Sequence, residues 1–293
     1  MDFFNSKLIE RNYVCHGRID HIQITGSSEK IIVEGRDVEN VMLSYLECPG
    51  KQEFTLIEQN GTLTLEKKNI RSILWLLYQP FIDNGIKVVV PRGFNGTLEI
   101  DSSSGRIVVS DLNAENMSIR CSSGAIKVEQ IGIGNLCIES SSGAVKTESI
   151  NTGNLSINTS SGAIRIDNVN SRNNINVGCS SGMITLVDST AAGNISLGSH
   201  SGLTRLIRVS AGGSVTAGNT SGGIHFESLK TGGNIDFSTM SGAIRGSILG
   251  RQSDYSIISH TTTGHNGIVN SRTGAKEMNI STTAGAIKVS FLE

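Results

Sequence analysis

The 293-residue chain predicts an all-β fold, a parallel β-solenoid of about ten coils of 19–22 residues each behind an irregular β-rich N-terminal cap, and three observations carry that prediction. First, a Ser-Gly turn recurs with Gly105, Gly124, Gly143, Gly162, Gly182, Gly202, Gly222 and Gly242 spaced 19 or 20 residues apart, and Thr262-Thr263-Gly264 and Thr283-Ala284-Gly285 are weaker copies. Second, aligning the copies on their glycine makes apolar columns with a period of two. Third, 34 Gly, 3 Pro, 4% aromatic and 17% charged residues suit many tight turns around an aliphatic core. A fixed period of this length is the mark of stacked structural units.

The N-terminal segment, residues 1–97, reads as the cap. Strand-like runs cover Arg18–Thr25, Lys30–Glu34, Glu53–Ile57, Thr62–Glu66 and Ile86–Val90. Asn60-Gly61 between Phe54–Leu56 and Leu63–Leu65 suits a two-residue hairpin and equally the corner of an irregular coil. Val38, Val41, Met42 and Tyr45 fit helical spacing, but Val41–Glu47 also alternates as a strand and is expected at a sheet edge. Residues 70–84 form a hydrophobic insertion around IRSILWLLYQPFI, Ile70–Ile82, with the single Trp. At about 13 residues it falls short of the ~20 that cross a bilayer, and packing on the solenoid is expected, with a membrane-touching or partner-binding loop as the alternative. Solenoid ends need such cover, because a terminal coil otherwise exposes core and unpaired backbone.

Residues 98–293 form the coils. Seven positions before the glycine stand Leu98, Met117, Leu136, Leu155, Ile175, Ile195, Val215, Ile235, Ile257 and Met278; two after it stand Ile107, Ile126, Val145, Ile164, Ile184, Ile224, Ile244 and Ile287. Each coil therefore holds two inward-facing strands, and a further apolar corner at Leu112, Ile131, Ile150, Val169, Val209, Leu229 and Leu249 closes it. So short a coil has no room for a helix. Parallel crossovers favour a right-handed winding. The glycine marks a corner needing positive φ or close backbone approach. Asn116, Asn135, Asn154, Asn174, Asn194 and Asn234 mark another, read as an amide ladder. Ser259 and Asn266 break otherwise apolar columns. Cys121 and Cys179 share an inward column three coils apart, too far for a disulfide, and serve as small core residues; Cys15, Cys48 and Cys137 show no metal spacing.

Function must lie in the outward columns. Three residues after the glycine come Lys127, Lys146, Arg165, Arg205, His225, Arg245 and Lys288, interrupted by Thr185 and Gly267. Lys127, Lys146, Arg165, Arg205 and Arg245 are the candidate binding residues, a ladder able to hold an extended polyanion such as an acidic glycan. Two residues further on come Glu129, Glu148, Asp167 and Glu227, expected to form cross-coil ion pairs with the ladder. Glu129, Glu148 or Asp167 also permits a second reading, a carbohydrate-active enzyme. A third is a self-assembling cytoplasmic scaffold stacking end to end. No catalytic residue, metal site or cofactor is singled out, and His16 with His21, like His260 with His265, reads as surface histidine. Net charge −1 predicts no general attraction to nucleic acid. With no signal peptide and no transmembrane segment in the sequence as written, a cytoplasmic protein is expected, or a cell-surface one if a leader has been removed.

GNLCIESSSGAVKTESI (Gly134–Ile150) and GNLSINTSSGAIRIDNV (Gly153–Val169), with the lead-in IKVVVPRGFNGTLEIDSSSG (Ile86–Gly105), resemble the bacterial putative-adhesin family of β-strand-repeat proteins. The resemblance runs from about residue 18 to the C-terminus. It implies the repeat fold and a binding or scaffolding surface for a glycan, a protein or a second copy, and supplies no catalytic motif.

Overall fold

The computed structural model describes residues 8–49, 52–68 and 85–293, so the expected hydrophobic insertion at 70–84 lies outside the described residues. The fold is all-β, a parallel β-solenoid of about nine turns. Among the described residues the one helical element is a single 3-10 turn, Gln252–Asp254. The chain divides into two compact units, Met1–Ile133 and Gly134–Glu293.

In the second unit each coil runs through a long strand, a glycine turn, a second strand and a corner into a short third strand. Ile175–Ser181, Ile184–Val187 and Thr190–Ala191 make one such coil. Successive coils pair in parallel and in register, Ile175 on Ile195 on Val215 on Ile235, and Ile164 on Ile184 on Thr204 on Ile224 on Ile244. The aliphatic members of both columns are at most 1% exposed. Each such side chain contributes about 1.5–3 kcal/mol of hydrophobic stabilisation. Thr204 keeps its place by bonding its hydroxyl to Asn219 Oδ1 at 3.0 Å.

Close backbone approach, rather than dihedral freedom, makes most turn positions glycine. Gly162 is not in the left-handed region, yet a Cβ there would lie well inside 3.0 Å of the Gly143 carbonyl oxygen in the neighbouring coil. The residue three before the glycine completes most of these turns, with buried Ser199, three before Gly202, left without a partner for its hydroxyl among the described residues. Thr159 Oγ1 accepts from Gly162 N–H at 3.1 Å, Cys179 Sγ donates to the Gly162 carbonyl at 3.5 Å, and Thr239 Oγ1 donates to that of Gly222 at 2.9 Å. Cys179 is thus a buried turn ligand, and burial pushes its thiol pKa up. Gly202, Gly222, Gly242 and Gly264 add a positive φ to that close approach, and non-glycine residues adopt positive φ at the corner after the second strand, at Ser149, Asn168, Asp188, Arg208 and Ser228, with φ between 49° and 56°. The asparagine corner is an amide ladder as expected: Asn154 Nδ2 donates to Asn135 Oδ1 at 2.9 Å, and Asn174 and Asn194 Oδ1 accept the next coil's backbone N–H at 2.8 Å.

Chain order and stacking order part company at the end of this unit. Ile235–Ser241 pairs with Lys276–Ala284, and Tyr255–Thr263 pairs on the far side of that same strand. Ile244–Leu249 likewise pairs with Ile287–Leu292. The chain's last coil is therefore inserted inside the one before it. The segment 266–271 covers the outermost strand: Ile257 and Ser271 exchange backbone hydrogen bonds at 2.9 and 3.1 Å, while Asn270 Oδ1 accepts both the N–H and the hydroxyl of Ser259 at 2.7 Å. Asn266 Nδ2 reaches Ser259 Oγ at 2.8 Å. Ser259 and Asn266 break the apolar columns because they satisfy this cap.

In the first unit, His21–Gly26 pairs in parallel with Thr97–Ser102 on one side and Thr62–Lys67 on the other; Lys30–Arg36 does the same between Ile107–Ser110 and Gly85–Pro91. The expected hairpin forms between Phe54–Gln59 and Thr62–Lys67, with φ of 51° at Asn60 and 75° at Gly61. Met42–Glu47 is a strand but not an edge, because it pairs antiparallel with both Ile9–Val14 and Gly85–Pro91. Glu58 ties this region together, accepting from Tyr13 Oη at 2.6 Å and from the Gly17 N–H at 3.1 Å.

Two glycine substitutions separate these causes. Gly162→Ala should cost about 1–3 kcal/mol by overpacking. Gly198→Ala, where a Cβ would meet nothing within 4 Å, should be neutral or stabilise by up to about 1 kcal/mol; denaturant unfolding measures both. Asn270→Ala should cost about 1–3 kcal/mol by leaving Ser259 N–H unpaired, with amide exchange rising first at Ile257–Ser259.

A candidate binding strip of stacked cations

The second strand of each coil turns outward the residue three past the glycine, and alternation puts the residue two further along on the same side. In the first unit Lys127 Nζ meets Glu129 Oε2 at 2.7 Å. In the second, Lys146 meets Glu148 at 2.7 Å, Arg165 grips Asp167 through two bonds of 2.6 and 2.8 Å, and His225 Nε2 meets Glu227 Oε1 at 2.8 Å. The ion pairs expected between coils form instead within each strand, where two side chains on one face already lie within reach.

Within the second unit the register places Lys146 on Arg165, then Thr185, Arg205, His225, Arg245 and Lys288. Buried Thr185 separates the neutralised pair Lys146 and Arg165 from the rest. Arg205, Arg245 and Lys288 are followed two residues later by Ile207, Ser247 and Ser290, so their strands offer no carboxylate, and none of the three forms an ion pair among the described residues. Arg205 Nε is enclosed without a hydrogen-bond partner. Glu227 is the acid facing this stretch, its carboxyl held below the usual range by the His225 hydrogen bond and then by the charges of His225, Arg205 and Arg208. Arg208 is itself held by Asp188 at 2.5 and 2.6 Å.

Of the sequence-derived candidates, the structure brings Arg205 and Arg245 together around His225, sets Lys146 beside Arg165, and leaves Lys127 in the other unit. Lys288 completes the strip, although Gly267 lies between it and Arg245 in the sequence column. A depressed carboxyl at Glu227 is the opposite of what a general acid needs. Among the described residues no group of three or more His, Cys, Asp or Glu is gathered to hold a metal ion, and no helix is long and apolar enough to cross a membrane.

Parallel coils stacked in register define a β-solenoid repeat protein. The chain belongs to the Toastrack DUF4097 family, whose sequence profile matches residues 19–290. Solved structures with the same fold include a putative adhesin from Parabacteroides merdae ATCC 43184 at 15% identity, covering 80% of this chain and 97% of that one with a TM-score of 0.54. A putative adhesin from Parabacteroides distasonis ATCC 8503 is 14% identical over 97% of this chain and 98% of that one, with a TM-score of 0.50. A putative lipid binding protein from the same organism is 20% identical over 80% and 97%, also with a TM-score of 0.50. No curated protein matches the chain.

The pairing pattern has a measurable signature in stability. Arg165→Gln should destabilise the protein by up to about 1 kcal/mol, since Asp167 loses a bidentate partner. Arg245→Gln should be neutral or slightly stabilising, since it relieves like-charge stacking. Urea unfolding of the two variants at low salt compares them directly.

Proposed function

We propose that this protein is a non-catalytic binding module whose contact face is the cation ladder of the second unit, centred on Arg205, His225, Arg245 and Lys288. One observation carries the reading: three permanent cations fill three of four successive register positions, with His225 at the fourth, and face outward against one carboxylate, while Lys127, Lys146 and Arg165 each have an acid on their own strand. Like charges stacked directly across strands are destabilising, so the stretch lacking internal acids is the one suited to an external anion. The adhesin and lipid-binding descriptions of structural neighbours agree with a binding role. The alternative of end-to-end scaffold assembly finds an obstacle in the loop 266–271, which occupies the outer edge of the last strand in the second unit.

Retention on an immobilised polyanion tests the reading. Arg245→Glu should lower the eluting salt concentration well below that of the unchanged protein, whereas Lys230→Glu, which changes the net charge equally, should shift it little. Equal shifts for both would reduce the effect to net charge and remove the ladder from consideration.

A further inference from the structure

Resting on the strip as the contact face, we propose that its ligand is an acidic polysaccharide carrying a carboxylate on successive sugars, lying along the stacking direction with one carboxylate per coil. The cations are not a diffuse patch. Arg205, His225, Arg245 and Lys288 occupy one register line across four neighbouring strands. Strand spacing sets the interval at about 4.8 Å and the span from first to last at about 14 Å. A chain of uronic acids carries one carboxylate per pyranose ring, so its charges recur along the chain on the length scale of the rung spacing.

The flanks suit sugar rings. Two residues before Arg205, His225, Arg245 and Lys288 stand Leu203, Gly223, Ala243 and Ala286, a flank without polar side chains that suits the apolar face of a ring. On the other flank Glu227, Ser247 and Ser290 supply oxygen atoms for ring hydroxyls. Glu227 stays ionised and accepts from hydroxyl donors, which sugars have and inorganic polyanions lack. Single-stranded nucleic acid fits less well, because its binders stack bases on aromatic side chains and these columns contain no Phe, Tyr or Trp. An anionic bilayer is a plane, whereas the cations form a line beside a carboxylate that would face the headgroups.

Calorimetric titration of the full chain with size-defined oligogalacturonates tests the inference. Affinity should climb from dimer to tetramer and level off beyond, because the strip has four rungs. Arg245→Gln and, separately, Lys288→Gln should each weaken tetramer binding about tenfold through loss of a charged hydrogen bond, and Lys230→Gln should leave it unchanged. Methyl esterification of the ligand should abolish binding. Galacturonate binding that ignores ligand length, esterification or both strip variants would overturn the proposal. If galacturonates fail while sulfated glycans, oligonucleotides or anionic vesicles bind and lose affinity in Arg245→Gln, the strip remains the contact face and the uronate assignment falls. If no anion binds in a strip-dependent way, both readings fall together.

Discussion

The contact on which the structure depends is glycine against glycine between neighbouring coils. At Gly162 and again at Gly222, the space a Cβ would fill is taken by the carbonyl of the matching glycine one coil away. This fixes how closely adjacent turns approach, and the parallel ladders carry that spacing around the coil. Side chains then reinforce the same rise at separate corners. Thr159 and Thr239 bond the glycine turns, and the Asn174 and Asn194 amides each accept a backbone N–H from the neighbouring coil. Once the rise is set, every outward position becomes a rung of a straight ladder.

A ladder has an electrostatic consequence that an ordinary surface does not. Repetition stacks like on like, and at about 4.8 Å neighbouring cations repel. The chain answers at Lys146 and Arg165 by placing an acid two residues along the same strand, close enough for contacts of 2.6 and 2.7 Å. It omits that answer at Arg205, Arg245 and Lys288. His225 and Glu227 put a mutually bonded pair in the middle of the stretch, so the rung between the two arginines is the one with an acid on its own strand.

Period and columns were legible in the sequence because a repeat displays the same requirement many times: ten glycines and two aliphatic columns leave little freedom, and Asn60-Gly61 names its own turn. The left-handed corner was not legible. Ser149, Asn168, Asp188, Arg208 and Ser228 share a φ near 50° but no common chemistry, since the geometry of the winding imposes that conformation and no side chain requests it. Ion pairing within strands was hidden for another reason: an alternating pattern puts the acid both beside its own cation and near those of adjacent coils, and side-chain reach decides between them. Met42–Glu47 looked like an edge because its partner Ile9–Val14 carries a weak strand pattern, exposed on most of its length.

The coil exchange at the end of the second unit links the cap to the strip. In chain order, the coil of Gly264 would follow that of Gly242 and set Gly267 beside Arg245, ending the ladder in a gap. Inserting the last coil instead sets Lys288 beside Arg245 and adds a fourth rung. The same insertion moves the polar strand Tyr255–Thr263 to the outermost position, where Ser259 serves as a hydrogen-bonding partner for Asn266 and Asn270 rather than as a flaw in an apolar column. One topological step thus accounts for both irregularities of the final repeats, the serine and asparagine where aliphatic residues belong and the interruption at Gly267. A coil order that matched the chain order would explain neither.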